Sequence, residues 1–402
     1  MEMYLQFGFG MMDHCRQLLG QWSGGTVALS PRDLTDDQLI RLSGDVRRIQ
    51  NGYVLLDPQF YLPHSDHERL CSHSYWPDNY QTSVFWQGPP LSQLLTTLLA
   101  KNQQLGCRAF ILPGLLATQV DDDWLAVQTA IVNEAESLPS PLPRIATIAL
   151  SADATRDSDQ IGNLVEAAEN WPVDGFYVVA EHPDGNYLVD DPNWLANFLD
   201  LAGGLRLLDR EVILGYCNHQ ILCAACVKVN AVCSGTWMNV RSFFPEKFQA
   251  TTDEEIKQRS RWYYCPQALS EYKIPFLDVA KRQGVLDEMR PPQELDGGYT
   301  SVLFSGAQPS TVDFSEQAAF RHYLHALRGQ VGTAVLGTFD DTMAHHEQAL
   351  TAAETLLDTL HAAGVLGQKR DFGDIIDVNR AALSILRTTR GPMLRHRWAT
   401  LQ

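Results

Sequence analysis

The chain has 402 residues, of which 45% are hydrophobic and 20% charged. This composition excludes collagen-like, disulfide-scaffold and intrinsically disordered proteins, and no apolar run reaches the roughly 18 residues of a membrane span. The net charge of −17 argues against non-specific electrostatic binding to nucleic acid or to anionic lipid. Residues 1–14 lack the basic region and the long apolar run of a signal peptide, so we expect a cytoplasmic protein with reduced cysteines.

Short apolar runs alternate with amphipathic stretches as far as about residue 240. Eight runs predict strands: 3–10, 26–30, 52–57, 107–112, 144–151, 175–180, 211–216 and 230–235. Each run is almost continuously apolar, which is typical of strands covered on both faces. The stretches between them predict helices at about 12–19, 36–50, 91–105, 122–137, 158–170, 192–202 and 219–229.

Two of these helices have recognisable starts. Thr35 and Gln38 form a capping box ahead of an apolar run, and Asp191 followed by Pro192 supplies an N-cap and a first-turn proline.

The eight strand–helix units predict a (β/α)8 TIM-like barrel over residues 1–250, in the α/β class. A doubly wound open sheet is the alternative, but such sheets usually carry a glycine-rich turn after the first strand, and residues 7–10 lack its third glycine. Residues 251–402 predict an irregular connection and a helical C-terminal module. We expect the histidines of this module to lie on the surface: His322, His325, His345 and His346.

Polar residues follow the predicted strands, and in a barrel these positions meet at the catalytic face. Asp57 ends strand 3, where partial burial would raise the pKa of its carboxyl toward the range of a general base. Glu181 follows strand 6 and is a candidate nucleophile or second acid. The structural alternatives are an Asp-Pro turn that uses Asp57 as acceptor, and an ion pair or helix cap for Glu181.

Further residues at the strand ends are candidate substrate-binding groups: Gln59, His182, Asn218, His219, Trp237, Asn239 and Arg241. Asn239 and Arg241 offer a planar amide and a fork of donors, which suit a base edge, a carboxylate or a phosphate. Alternatively, Arg241 neutralises carboxylates at the rim. The aromatic-rich segment 60–86 suits stacking on a base or sugar, or simply packs its own loop.

We predict no metal and no cofactor. Cys217, His219, Cys223 and Cys226 would be sufficient ligands for zinc, but the two last cysteines fall inside a helical pattern, where cysteine packs as a small apolar residue.

Over residues 1–245 the chain resembles the tRNA-guanine transglycosylase superfamily, including its DNA-modifying branch associated with phage defence. The resemblance rests on the barrel pattern, on LLDPQFY around Asp57, and on SGTWMNVRSF at the end of strand 8. It implies that Asp57 acts on the base as general base. The family's nucleophilic aspartate corresponds to a stretch that offers Asn239 and no acid, and of its zinc-binding cysteines only Cys265 is present.

The leading hypothesis is therefore an enzyme that exchanges a nucleobase, such as a 7-deazaguanine, in tRNA or DNA by glycosyl transfer. A second hypothesis is a catalytically silent barrel that binds nucleic acid or scaffolds a complex. A third is a small-molecule glycoside or nucleoside hydrolase that uses Asp57 and Glu181 as a carboxylate pair. The stretch 366–402, with seven basic and three acidic residues, is the candidate contact for tRNA or DNA, and the helical module is a candidate protein-binding surface. No membrane contact is expected.

Overall fold

The computed structural model describes residues 1–250 and 260–401. Nine parallel strands form its main sheet: β1 (Glu2–Gln6), β2 (Gly25–Leu29), β3 (Gly52–Leu56), β4 (Phe110–Ile111), β5 (Leu116–Ala117), β6 (Arg144–Leu150), β7 (Gly175–Ala180), β8 (Glu211–Leu214) and β9 (Ala231–Ser234). All but β5 correspond to the eight predicted runs, to within four residues at each end. β5 continues the fourth run after a break and pairs only with β6.

The sheet curls into a barrel with the strand order β3-β2-β1-β9-β8-β7-β6-β4. The first strand pairs with the last, with Glu2 opposite Ala231 and Leu5 opposite Ser234. Between the end strands of this order, the backbone N–H of Arg108 donates to the carbonyl of Val54 at 3.0 Å. The nearly closed eight-strand barrel confirms the (β/α)8 prediction over the open-sheet alternative.

Helices follow the strands and cover the outside of the barrel. They are α1 (Met12–Trp22), α2 (Asp36–Arg47), α3 (Glu68–Cys71), α4 (Thr82–Phe85), α5 (Pro89–Leu105), α6 (Asp122–Ser137), α7 (Ala152–Arg156), α8 (Ser158–Glu169) and α9 (Pro192–Leu207). After β8 the expected helix is a 3-10 helix, His219–Val227. Both predicted caps are present: Thr35 and Gln38 bond reciprocally, and the Asp191 side chain accepts from the backbone of Asn193 and Trp194.

The C-terminal module is helical, as predicted, but begins with a hairpin that the sequence pattern did not indicate. β10 (Trp262–Cys265) and β11 (Ser270–Lys273) form an antiparallel pair. The helices are α10 (Ile274–Gln283), α11 (Gln293–Asp296), α12 (Glu316–Thr333), α13 (Phe339–Ala362), α14 (Ile376–Thr389) and α15 (Gly391–Arg397).

Barrel and module share one continuous hydrophobic core, and α14 packs along α9. The prediction that the module's histidines are exposed is wrong for two of them. His322 and His346 lie on the buried faces of α12 and α13, and the His322 ring is bonded to the Tyr264 carbonyl. Cys223 and Cys226 are buried, as expected of packing residues. Within the described ranges, no helix is both long and apolar enough to span a membrane.

Candidate functional site

The carboxyl ends of the barrel strands meet under the segment that follows β9. This segment contains two 3-10 turns, Met238–Val240 and Pro245–Phe248. Phe243 forms a parallel bridge with Glu181, and its ring contacts the rings of Tyr61 and Tyr216. The mouth of the barrel is therefore covered by the chain itself rather than open to solvent.

Beneath this cover, Asp57 is completely buried and surrounded by hydroxyl groups. Its Oδ1 accepts hydrogen bonds from the Tyr61 hydroxyl at 2.8 Å and the Gln59 backbone N–H at 3.0 Å. Its Oδ2 accepts from the Tyr216 hydroxyl at 2.8 Å and lies 3.3 Å from the Tyr177 hydroxyl. These five residues are called the Asp57 cluster below.

Burial raises the pKa of the Asp57 carboxyl, although the hydroxyls of Tyr61 and Tyr216 and the Gln59 N–H oppose the rise. The Asp-Pro turn contributes a backbone bond, as the structural alternative expected, but tyrosine hydroxyls supply most of the contacts. The backbones of Gln59 and Tyr216 are left-handed, with φ of 54° and 56°. Such backbone is costly for residues other than glycine and is enriched at functional sites.

Lys247 lies over the Asp57 cluster and is partly exposed. Its Nζ is 3.7 Å from the centroid of the Tyr216 ring and donates to the Asn239 carbonyl. Burial lowers the pKa of the Lys247 amine well below its usual value, and the neighbouring Arg32 guanidinium lowers it further. The pKa values of the Asp57 carboxyl and the Lys247 amine are thus displaced toward each other, which is the pattern of a candidate acid–base pair.

Glu181 lies at the rim and is held separately from Asp57. Its Oε2 accepts a hydrogen bond from the Ala152 N–H at 3.0 Å, at the start of α7. Burial raises its pKa, the Ala152 N–H opposes this, and the nearby Glu246 and Asp153 raise it further. Among the contacts of the described residues, none joins Glu181 to Asp57.

Arg241 belongs to a second group of charges, between the barrel and the C-terminal module. Its guanidinium donates to Glu271 Oε2 at 3.1 Å and to the Gly235 carbonyl at 2.8 Å. Arg370 donates to the same Glu271 oxygen at 2.8 Å. His219 lies beside them, with its ring centroid 6.1 Å from that of Tyr323. The alternative in which Arg241 neutralises a carboxylate is therefore close to what the structure has. The carboxylate, however, is Glu271 of the module and not a residue at the rim of the barrel.

The remaining predicted substrate-binding residues are held in structural contacts. The His182 ring bonds to the Asn186 carbonyl and packs on Trp194, and burial lowers its pKa to about 4. Asn218 caps the 3-10 helix after β8. Trp237 donates to the Phe9 carbonyl. The Asn239 carbonyl accepts from Lys247, while its side-chain Oδ1 has no hydrogen-bond partner.

The two candidate recognition surfaces are largely occupied by internal contacts. In segment 60–86 the rings of Phe60, Trp76, Phe85 and Trp86 are buried against one another. In the stretch 366–402 every arginine is ion-paired: Arg370 with Glu271, Arg380 with Glu354, Arg387 with Glu347, Arg390 with Asp200, Arg395 with Asp340 and Arg397 with Asp209. Nucleic-acid binding through this stretch stays a prediction and would have to compete with these pairs.

Several residues around Asp57 and Arg241 were not identified as site residues from the sequence. Tyr177 and Tyr216 lie in apolar runs, where tyrosine is indistinguishable from a packing residue, and Tyr61 was expected only to stack or pack with the aromatic segment 60–86. Lys247 falls in a segment without periodicity. Glu271 lies in the hairpin that the pattern did not indicate, so its pairing with Arg241 depends wholly on tertiary structure.

No protein-family model matches the sequence, and no significant match to a curated protein is found. Within residues 1–250 and 260–401, no three His, Cys, Asp or Glu side chains are grouped closely enough to hold a metal ion.

Proposed function

We propose that this chain is a (β/α)8 enzyme of glycosyl transfer that exchanges a nucleobase in tRNA or DNA, with Asp57 as the group that accepts a proton from the base. The observation that carries the proposal is the Asp57 cluster: a carboxyl, fully buried at the carboxyl end of a barrel strand, whose hydrogen-bond donors are all neutral. A buried carboxyl without a guanidinium partner is costly to retain for packing alone. Its raised pKa moves the carboxyl toward the range of a general acid or base.

In the proposed reaction, a carboxylate at the rim attacks the sugar C1′ as the bond to the outgoing base breaks, and the outgoing base takes the proton of the Asp57 carboxyl. Glu181 is the candidate, because it is partly exposed and lies on the strand-end face. The incoming base then displaces this carboxylate, re-forms the glycosidic bond and gives its N–H proton to Asp57. The 3-10 turn Pro245–Phe248, with Lys247, must move aside for a base to reach Asp57.

The direct test is exchange of radiolabelled guanine into tRNA and into duplex DNA. We expect Asp57→Asn to reduce incorporation by about 10²–10⁴-fold, the usual range for losing a general acid or base. Asp174→Asn is the matched control, because Asp174 is an exposed aspartate directly before β7, at the opposite end of the barrel, where it accepts from the Arg144 N–H. Retained folding of both variants is checked by thermal unfolding. Full activity of Asp57→Asn would contradict the assignment of Asp57.

The second candidate is the catalytically silent barrel, and a specific observation favours it. Both oxygens of Asp57 are bonded, and the mouth is closed by Phe243 and Phe248. The same assay separates the two candidates. No incorporation into either polymer, combined with salt-dependent binding of tRNA or DNA, would favour the silent barrel, since phosphate contacts weaken with salt.

A further inference from the structure

The Arg241 cluster is defined by six residues: Tyr187, His219, Arg241, Glu271, Tyr323 and Arg370. It lies where the ends of β7, β8 and β9 meet the hairpin β10–β11 and helix α12. The side chains of Arg241 and Glu271 are each 3% exposed. The Arg241 guanidinium carbon stacks 3.3 Å from the centroid of the Tyr323 ring.

The charges of this cluster do not cancel. Burial alone would raise the pKa of Glu271, but the guanidinium groups of Arg370 and Arg241 outweigh it and hold the pKa at about 2, so the carboxyl is ionised. Burial lowers the pKa of His219 to about 4, so the ring is neutral near pH 7. Two guanidinium groups therefore face one carboxylate. An uncompensated buried charge is unfavourable unless another group neutralises it.

Hydrogen-bonding groups without partners gather around these charges. Both ring nitrogens of His219, the Ser234 hydroxyl, the Tyr323 hydroxyl and Glu271 Oε1 are buried and make no hydrogen bond of good geometry. Their nearest polar neighbours are one another and a few adjacent groups: the Tyr323 hydroxyl is close to the hydroxyls of Tyr187 and Ser234, Glu271 is close to Tyr187, and His219 is close to the Leu269 backbone. Buried polar atoms without partners are rare in folded proteins, and a local group of them indicates a missing ligand or ordered water.

One edge of the cluster reaches the surface. Arg370 is partly exposed, and its guanidinium carbon lies 4.0 Å from the centroid of the partly exposed Trp262 ring. A small ligand would have to enter beside this pair, because barrel and module cover the inner residues of the cluster.

We propose that the Arg241 cluster binds one phosphate group, either as inorganic phosphate or as the terminal phosphate of a small monoester. A monoanion, H2PO4⁻ for inorganic phosphate or ROPO3H⁻ for a monoester, would cancel the excess positive charge. The two guanidinium groups and the hydroxyls of Ser234 and Tyr323 would donate to its oxygens, and its P–OH would donate to Glu271 Oε1. The phosphodiester of a nucleic-acid backbone is attached to a nucleotide on each side. The buried inner residues of the cluster leave no space for both attachments. This site is independent of the Asp57 cluster.

The test measures equilibrium binding of radiolabelled inorganic phosphate to the full chain in phosphate-free buffer. We expect saturable binding of one phosphate per chain and at least a tenfold weaker affinity for Arg370→Gln. Arg380→Gln is the matched control. It removes an arginine of the same module that is paired with Glu354, away from the Arg241 cluster. This control and Asp57→Asn should bind as the wild type does.

Competition distinguishes the sources of the phosphate. A 5′-mononucleotide that displaces the label identifies a site able to take monoesters, and failure to displace it restricts the site to inorganic phosphate. An oligonucleotide without terminal phosphates should leave the label bound. The proposal is overturned if the folded wild type shows no saturable binding, if Arg370→Gln binds equally well, or if such an oligonucleotide displaces the label.

Discussion

Two buried carboxyl groups of this chain have pKa values displaced in opposite directions, and their immediate partners explain the difference. Asp57 is contacted by neutral donors, so burial dominates and its pKa rises. Glu271 is contacted by two guanidinium groups, which overcome the same penalty and lower its pKa to about 2. Burial alone therefore does not decide the protonation of a carboxyl; the charge of its hydrogen-bond donors does.

At this scale Lys247 gives a chemical prediction. Because its pKa is lowered, its amine is uncharged at a lower pH than that of an ordinary lysine and should be acylated at near-neutral pH. We expect limiting acetic anhydride at about pH 7.5 to modify Lys247 ahead of the exposed Lys369, as measured by peptide mass spectrometry. Faster labelling of Lys369 than of Lys247 across the pH range would be incompatible with a neutral amine over Tyr216.

The candidate site was predictable only in part. Asp57 and Gln59 were found because polar residues directly after an apolar run mark the end of a barrel strand. Their contacts with the tyrosines were not predictable, because whether a tyrosine hydroxyl meets a carboxylate or a methyl group depends on neighbours distant in sequence. Gln59 and Tyr216, for example, bond across 157 positions of the chain.

At the scale of elements, prediction succeeded where a local pattern determines the structure. The strands of the barrel are continuous apolar runs. The starts of α2 and α9 are determined by N-cap side chains that accept from backbone N–H groups no more than three residues further along the chain. The hairpin β10–β11 was missed because its strands, WYYC and SEYK, show no apolar–polar alternation. Tyr263, Tyr264 and Tyr272 are all buried, because α12 and the rest of the module cover the hairpin.

The capping box of α2 gives a prediction for this scale. Thr35→Ala removes the side chain that accepts from the Gln38 N–H, so the free energy of unfolding should fall by about 1 kcal/mol. Thr35→Ser retains the hydroxyl and is expected to lose much less. Urea unfolding of the three proteins measures both differences. Equal stability of the alanine and serine variants would mean that the cap bond contributes nothing.

For the whole molecule, two ion pairs join the C-terminal end of the module to the barrel. Arg390, directly after α14, makes a bidentate contact with Asp200 of α9, and Arg397 of α15 binds Asp209. The other arginines of the stretch 366–402 pair with carboxylates of the module itself. The local excess of basic residues was visible in the sequence, but the barrel partners of Arg390 and Arg397 were not, because they lie almost 200 residues away.

Buried histidines make the stability of the molecule depend on pH. Burial lowers the pKa of five of them to about 4: His14, His182, His219, His322 and His346. Their usual pKa in an unfolded chain is about 6.5. Between these values the unfolded state binds more protons, so the free energy of unfolding should fall as pH drops from about 6.5 to 4, by up to about 1.4 kcal/mol per unit for each histidine.

His346 allows this dependence to be tested, because its Nε2 has no hydrogen-bond partner. We expect His346→Leu to show a shallower loss of stability between pH 6.5 and 4 than the wild type, in urea unfolding at several pH values. The exposed His396 supplies the control variant, His396→Leu, whose slope should match the wild type. Identical slopes for all three proteins would exclude His346 as a contributor.

The pairing of β1 with β9 also determines the order of events while the chain is being synthesised. β1 is made first, yet its partner Ala231–Ser234 emerges only after more than half of the chain has been translated. Until then β1 has one unpaired edge, the kind of surface on which strands of other chains add. Closure of the barrel is thus a late, long-range step, and a chain interrupted before β9 would retain an adhesive edge however well its earlier strands had paired.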